Sequence, residues 1–375
     1  MHILIAPDSF KESLSAAQVA EAIKLGFSKV YPHASYDLLP LGDGGEGTVE
    51  SLTDALSLDV KHTYVTGPFG DKVKVTYAMK DDLAVFEMAA IVGLGSIPHE
   101  KRNPLLLKTE GIGELIVELV QNGAQRILIG VGGSASHDGG IGMASGLGVR
   151  FYDCDGDEVE AIGAHLGKIV RYSTDEMLVD LSQVRIDLVT DVNNPLCGPL
   201  GATYVFAGQK GLAPEEFERI DEEMAGFYNN VNPEILAVSG AGAGGGMAAG
   251  LVQFAGAHIQ KGVDFVMNQL NFDHRVAEAD LVIVGEGRMD IQSLAGKTPI
   301  GVAQRTPDGV PIIAICGSLK DDLPDFPFEN ICAAFPIIAS VDSLEHTLKN
   351  AEKNLIRTAE QVARVIQLGG TLRWN

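Results

Sequence analysis

Short apolar runs alternate along the chain with longer segments in which apolar residues recur every three or four positions. Residues 1–6 form the first such run, ending at Pro7-Asp8, and predict a buried strand. From Ser15 to Val30 the apolar positions Val19, Ala20, Ile23 and Phe27 share one helical face, with Ser15 placed as the N-cap. Tyr36–Pro40 predicts a second short strand. The segment Gly42-Asp43-Gly44-Gly45-Glu46-Gly47-Thr48 follows it, and a helix is expected from about Val49. Strand, loop, helix, repeated, is how a wound parallel sheet begins.

The pattern changes near Val60. Lys61–Thr66, Lys72–Ala78 and Leu83–Met88 read as strands, and turn residues Gly67–Asp71 and Asp81-Asp82 separate them at hairpin spacing. Alternation of helix and strand returns with Gly113–Gln121, Arg126–Val131 and Gly139–Leu147. Asp187–Thr190 is a further buried strand, and Pro214–Tyr228 is a charged helix. Beyond Phe272, strands are expected at Leu281–Gly285, Ile312–Cys316 and Ile331–Ala334, with helices at Pro299–Arg305 and Leu344–Leu368. The expected fold is therefore α/β in two domains. A discontinuous Rossmann-like wound parallel sheet is built from 1–58 and 272–375. An inserted second α/β domain with some hairpin strands spans 59–271, and an active-site cleft is expected between them.

Composition narrows the function. A length of 375 residues suits two domains, and 46% hydrophobic with 21% charged residues is ordinary for a globular protein. Lys and Arg number 28 against 50 Asp and Glu, a formal charge of −22, which repels nucleic acid and anionic membranes. Any anion site must then rely on local devices: backbone amides, helix N-termini, a few lysines or a metal ion. Cys154, Cys197, Cys316 and Cys332 show no Cys-x-x-Cys spacing and read as small interior hydrophobes of a cytoplasmic protein. No signal peptide is apparent. The longest uncharged stretch, Ile235–Gln260, holds seven glycines and reads as a glycine-rich loop followed by a buried helix, not as a membrane span.

Five segments dense in Gly, Asp, Ser and Lys each follow a predicted strand, where open α/β sheets bind ligands, so they are expected to converge on one cleft. Ala6–Ser13 supplies Lys11 as a point charge for phosphate or carboxylate, or else as a surface lysine in a turn. Gly42–Thr48 offers an amide nest, with Asp43 and Glu46 as hydroxyl acceptors or a metal ligand, or else a capped turn. Gly130–Gly140 follows a strand and opens a helix, the context for phosphate binding, and its His137 reads as a hydrogen-bonded loop residue before it reads as a base. Thr190–Leu196 places Asp191 at a strand end as Mg²⁺ ligand, general base or Asx-turn residue. Gly285–Thr298 ends in Gly-Lys-Thr, yet position 291 is Ile where a P-loop needs glycine, leaving Lys297 as a phosphate contact or an exposed lysine at a helix start. Gly240–Gly245 satisfies G-x-G-x-x-G with no apolar strand before it, and reads as a site of close backbone approach.

Seven stretches together resemble the glycerate kinase family, type 1: APDSFKESLSA (6–16), DGGEGT (43–48), KRNPL (101–105), GGSASHDGGIGM (132–143), NPLCGPLGA (194–202), GAGAGGG (240–246) and GEGRMDIQSLAGKTPIGVA (285–303). The resemblance implies ATP-dependent, Mg²⁺-assisted phosphorylation of D-glycerate, with 2-phospho-D-glycerate as the expected product. Phosphoryl transfer depends on positioning and charge neutralisation. On that basis Lys11, Asp191 and Asp290 are the candidate catalytic residues, with Asp191 also the candidate metal ligand. Ser9, Asp43, Gly44, Gly45, Glu46 and Arg288 would bind substrate, and Gly132, Gly133, Ser134 and Lys297 the nucleotide. Two rival readings stand beside it: a nicotinamide-dependent hydroxy-acid dehydrogenase resting on the 240–245 glycines, and a non-catalytic sugar-acid sensor using the same cleft.

Overall fold

The computed structural model describes residues 1–42, 48–291, 293, 297–340 and 342–370. The chain opens with β1 (His2–Ile5), α1 (Ala16–Ser28), β2 (Ser35–Leu38) and α2 (Thr48–Ala55). It continues through β3 (Asp59–Thr66), β4 (Lys72–Lys80), β5 (Leu83–Glu87), α3 (Ala89–Val92), α4 (Glu110–Gln121), β6 (Arg126–Gly130) and α5 (Ile141–Gly146). Next come β7 (Arg150–Tyr152), β8 (Arg171–Ser173), β9 (Arg185–Thr190), α6 (Phe217–Val231), α7 (Met247–Ala255) and β10 (His258–Lys261). The last stretch holds α8 (Gly262–Gln269), α9 (Phe272–Ala277), β11 (Leu281–Val284), β12 (Arg288–Met289), α10 (Thr298–Arg305), β13 (Ile312–Cys316), β14 (Ser318–Leu319), β15 (Ile331–Pro336), α11 (Leu344–Lys349) and α12 (Ala351–Gly369). These elements divide into two units: Met1–Asp43 with Glu50–Ser57 and Gly262–Asn375, and Gly44–Val49 with Leu58–Lys261.

The first unit is built on a five-stranded sheet in the order β15-β13-β11-β1-β2, parallel throughout. Ile3, Leu4 and Ile5 and all of β11 are buried, as unbroken apolar strands must be when helices cover both faces. Winding reverses between β1 and β11, so the sheet has a topological switch point there. Ser15 caps α1 as its sequence predicts: its hydroxyl accepts from the Gln18 amide at 3.3 Å and its own amide donates to Gln18 Oε1 at 2.9 Å. Ile23 and Phe27 of α1 enter a core shared with Leu355, Ala359 and Val362 of α12. Gly26 lets the two helices meet closely, since a Cβ there would lie 2.5 Å from the Ile356 carbonyl oxygen.

The second unit carries a six-stranded sheet in the order β10-β9-β6-β5-β4-β3. The first four strands are parallel, and β4 and β3 are antiparallel hairpin strands at one side, as their turn spacing predicts. Phe86, Ile112, Leu115, Ile129, Met143 and Met247 belong to one core.

Two expectations need correction, and one strand of the six-stranded sheet is not foreseen. Strand β10 has no apolar run to announce it: His258-Ile259-Gln260-Lys261 is short and mostly polar, and is a strand because it pairs with β9. The helix read over Leu344–Leu368 is two helices that break at Asn350, whose side chain donates to the His346 carbonyl at 2.8 Å. Of the cysteines only Cys316 is buried. Cys154 and Cys332 are exposed, one in the turn after β7 and the other on edge strand β15.

Candidate active site

The chain leaving β1 stays hydrogen-bonded beside the chain leaving β11. The Ala6 amide donates to the Ile283 carbonyl at 2.8 Å and the Asp8 amide to the Gly285 carbonyl at 2.8 Å. With Ile5 in register with Ile283, these bonds bring Asp8 and Glu286 side by side at the switch point. A cavity of about 530 Å³ opens there. Ser9 and Lys11 line it from the β1 side, and Arg288, Asp290 and Lys297 from the β11 side. The first and fifth sequence segments thus meet in one cavity, within one unit.

Its charged groups are unequally satisfied. Asp8 is buried, with Oδ1 accepting from the Ser9 amide at 2.6 Å and Oδ2 from the Thr298 hydroxyl at 3.0 Å. Asp290 Oδ2 lies 3.3 Å from Nε of the exposed Arg288. Lys297 is the N-cap of α10, which begins at Thr298-Pro299, so the lysine marks a helix start as expected. Glu286 is only 6% exposed, and its Oε1 has no hydrogen-bond partner among the described residues. Burial pushes its carboxyl up to about 7; the Ser293 hydrogen bond and Lys297 oppose the rise, and Asp8 and Asp290 add to it.

In the second unit, Gly132–Ser134 follows β6, and Asp191 follows the adjacent β9 at the same carboxyl edge of the sheet. Asp191 is exposed, Gly133 is exposed with φ of +67°, and Ser134 is buried. The amides that open α5 are already used: Asp138 accepts from Gly140 and Gly142 at 2.9 and 3.3 Å, and from the Thr109 hydroxyl at 2.6 Å. The Gly140 and Gly142 amides are thus turned to Asp138, and Gly132–Ser134 lie ahead of the helix. Beneath them Lys210, 3% exposed, donates to Ser134 Oγ and to the Ser136 carbonyl, both at 2.8 Å. Burial lowers Lys210 to about 7, against the pull of Asp138. His137 is fully buried, with Nε2 3.0 Å from Thr203 Oγ1; burial and then Lys210 depress it to about 3, so it is neutral at physiological pH.

The 240–246 glycines serve packing. Gly245 has φ of +72°, and a Cβ there would lie 2.3 Å from the Ser136 carbonyl oxygen. The run follows a 3₁₀ turn (Pro233–Ala237), not a strand. Asp43, Gly44, Gly45 and Glu46 lie outside the described residues.

Against known sequences, residues 3–367 match the glycerate kinase family. The chain belongs to that family. Its enzyme class, a kinase acting on glycerate, stands on this membership. Among similar glycerate kinases, one from Neisseria meningitidis is 52% identical over 368 residues, spanning 98% of this chain and 99% of that protein. A glycerate 2-kinase from Escherichia coli is 39% identical over 376 residues, spanning 98% and 99%. A crystal structure assigned as glycerate kinase 2 from Salmonella typhimurium superposes with a TM-score of 0.88 at 41% identity, covering 99% of this chain and 100% of that one.

Within this glycerate kinase family chain, Glu286 and Lys210 are two of the buried ionisable groups not marked as candidates by the motifs, Asp8, Asp138 and Asp187 being others. Glu286 stands inside a quoted motif, two residues before Arg288, yet only the register of β1 and β11 shows that its carboxylate is buried beside Asp8. Lys210 sits in an unremarkable Gly-Gln-Lys-Gly stretch, and nothing in the sequence marks its burial. Among the described residues no helix is long and apolar enough to cross a membrane, and no three His, Cys, Asp or Glu side chains are arranged to cage a metal.

Proposed function

We propose that the protein transfers the γ-phosphoryl group of ATP to D-glycerate, with 2-phospho-D-glycerate as the product, as the name of the Escherichia coli relative suggests. The observation that carries this reading is the switch-point cavity. It gathers Lys11, Lys297 and Arg288 as cations around carboxylates that can meet a hydroxyl, which is what transfer between two anions requires. Lys11 neutralises the phosphoryl group in flight, or holds the glycerate carboxylate. Ser9 and Arg288, with Asp43, Gly44, Gly45 and Glu46, bind glycerate, and Asp290 orients the attacking hydroxyl. Gly132, Gly133, Ser134 and Lys297 bind the nucleotide phosphates. Four free cysteines suit the reducing cytoplasm.

Mg²⁺ in such reactions is held mostly by phosphate oxygens, with one or two carboxylates completing the shell. Asp191 fits that part, being an exposed carboxylate beside the Gly132–Ser134 loop. The ion would supply neutralisation of phosphate charge. Asp191→Asn should lower kcat by about 10²-fold or more. A variant with kcat near that of the parent would remove Asp191 from this role.

The decisive test is ADP release that requires D-glycerate, with ³¹P NMR of the product to read the phosphorylated position. Titration with NAD(H) tests the dehydrogenase reading, which the packing role of Gly245 disfavours. Glycerate binding without ADP release would support the sensor reading instead.

A further inference from the structure

We propose that Glu286 is the group that takes the hydroxyl proton of glycerate; this rests on the kinase reading above. Four carboxylates line the cavity; Glu12 is exposed to solvent, and geometry separates the other three. Asp8 has both oxygens engaged, one by the Ser9 amide and one by Thr298. Asp290 has Oδ2 3.3 Å from the Arg288 guanidinium. Glu286 retains a buried oxygen, Oε1, with no partner among the described residues. A buried carboxylate oxygen left unpaired is costly, and in a ligand cavity such an atom marks a place where a ligand proton belongs.

The surroundings keep this group basic but not permanently charged. Asp8, on the chain leaving β1, and Asp290, on its own segment, disfavour the anion, while Lys297 and the Ser293 hydroxyl favour it. Cys316, at the end of β13, is held as a neutral thiol by its burial and then by Glu286 itself. Lys11 and Arg288 face the same cavity. The balance leaves the carboxyl titrating at about 7, where a general base is most effective near neutral pH.

In the step, the hydroxyl oxygen of glycerate forms a bond to the γ-phosphorus while the bond from that phosphorus to the β–γ bridging oxygen breaks, releasing ADP. The hydroxyl proton passes to the Glu286 carboxylate, which returns it to solvent after product leaves. Since the ionised form is the base, kcat/KM should fall as pH drops through about 7.

The test is the pH–rate profile of the full-length wild type and of Glu286→Gln, in saturating ATP and Mg²⁺ with D-glycerate varied. Wild type that releases no ADP with D-glycerate contradicts the kinase reading itself. Given wild-type turnover, the expected result is an acidic limb with its midpoint near 7, and in Glu286→Gln a fall of about 10²–10⁴-fold with no limb. A wild-type profile flat between pH 6 and 8, or a Glu286→Gln variant that keeps the parent rate or the parent limb, overturns the assignment. Should Glu286→Gln fail to fold, Glu286→Asp decides. It keeps a carboxylate on a shorter arm, and should keep a limb at reduced kcat; an unreduced kcat contradicts the role.

Discussion

A carboxylate held in a protein interior with one oxygen unpaired costs stability whenever it is ionised. Glu286 is such a group. Its carboxyl titrates at about 7 in the folded protein, against an ordinary value of 4.5. The folded state therefore holds this proton more tightly than the unfolded chain does. Below 4.5 the group is neutral in both states and costs nothing. As pH rises from there to about 7 its contribution to stability is lost, on the order of 3 kcal/mol in full. Glu286→Gln should accordingly melt higher than wild type at pH 8 and at nearly the same temperature at pH 5; equal gains at both would contradict the burial cost. Residues of this kind were half legible. Lys11, Asp290 and Lys297 stand out in polar segments that follow strands, and the structure places all three at one cavity. Glu286 and Lys210 owe their character to burial, which depends on distant parts of the chain: Asp8 for the one, Ser134 and Ser136 for the other.

Among the elements, the central strands β1, β11 and β13 of the first sheet declare themselves because each is a mostly buried apolar run, whereas the edge strands β2 and β15 are largely half-exposed. α1 declares itself through Ser15 and its apolar face. β10 does not, because pairing and not composition makes it a strand. The α1–α12 contact is likewise unreadable from either helix alone. It depends on Gly26, where an added methyl would sit 2.5 Å from the Ile356 carbonyl oxygen and 2.6 Å from Ala359 Cβ. Gly26→Ala gains about 1 kcal/mol of helix propensity but must push apart two packed helices, at about 1–3 kcal/mol. A net loss of roughly 1 kcal/mol is expected, seen as a lower urea midpoint. An unchanged or higher midpoint would mean that the helices can separate at little cost.

At the scale of the whole molecule, the order of motifs pointed to the family and to α/β architecture, and the family match and the sheets agree. What the order could not carry is strand sequence within the sheet, and it is the reversal between β1 and β11 that creates the cavity. The net charge of −22 has its own consequence. It repels ATP at long range, so raising ionic strength from about 10 mM to about 150 mM, which shortens the screening length from roughly 30 Å to roughly 8 Å, should raise kcat/KM for ATP. A fall would show that the cations of the cavity govern approach. The central claim is tested most directly by a coupled ADP-release assay with ATP, Mg²⁺ and D-glycerate as the only acceptor. ADP appearing in step with glycerate consumed, and none without it, is the predicted result; a folded protein that binds ATP and Mg²⁺ yet releases no ADP with D-glycerate would contradict the account.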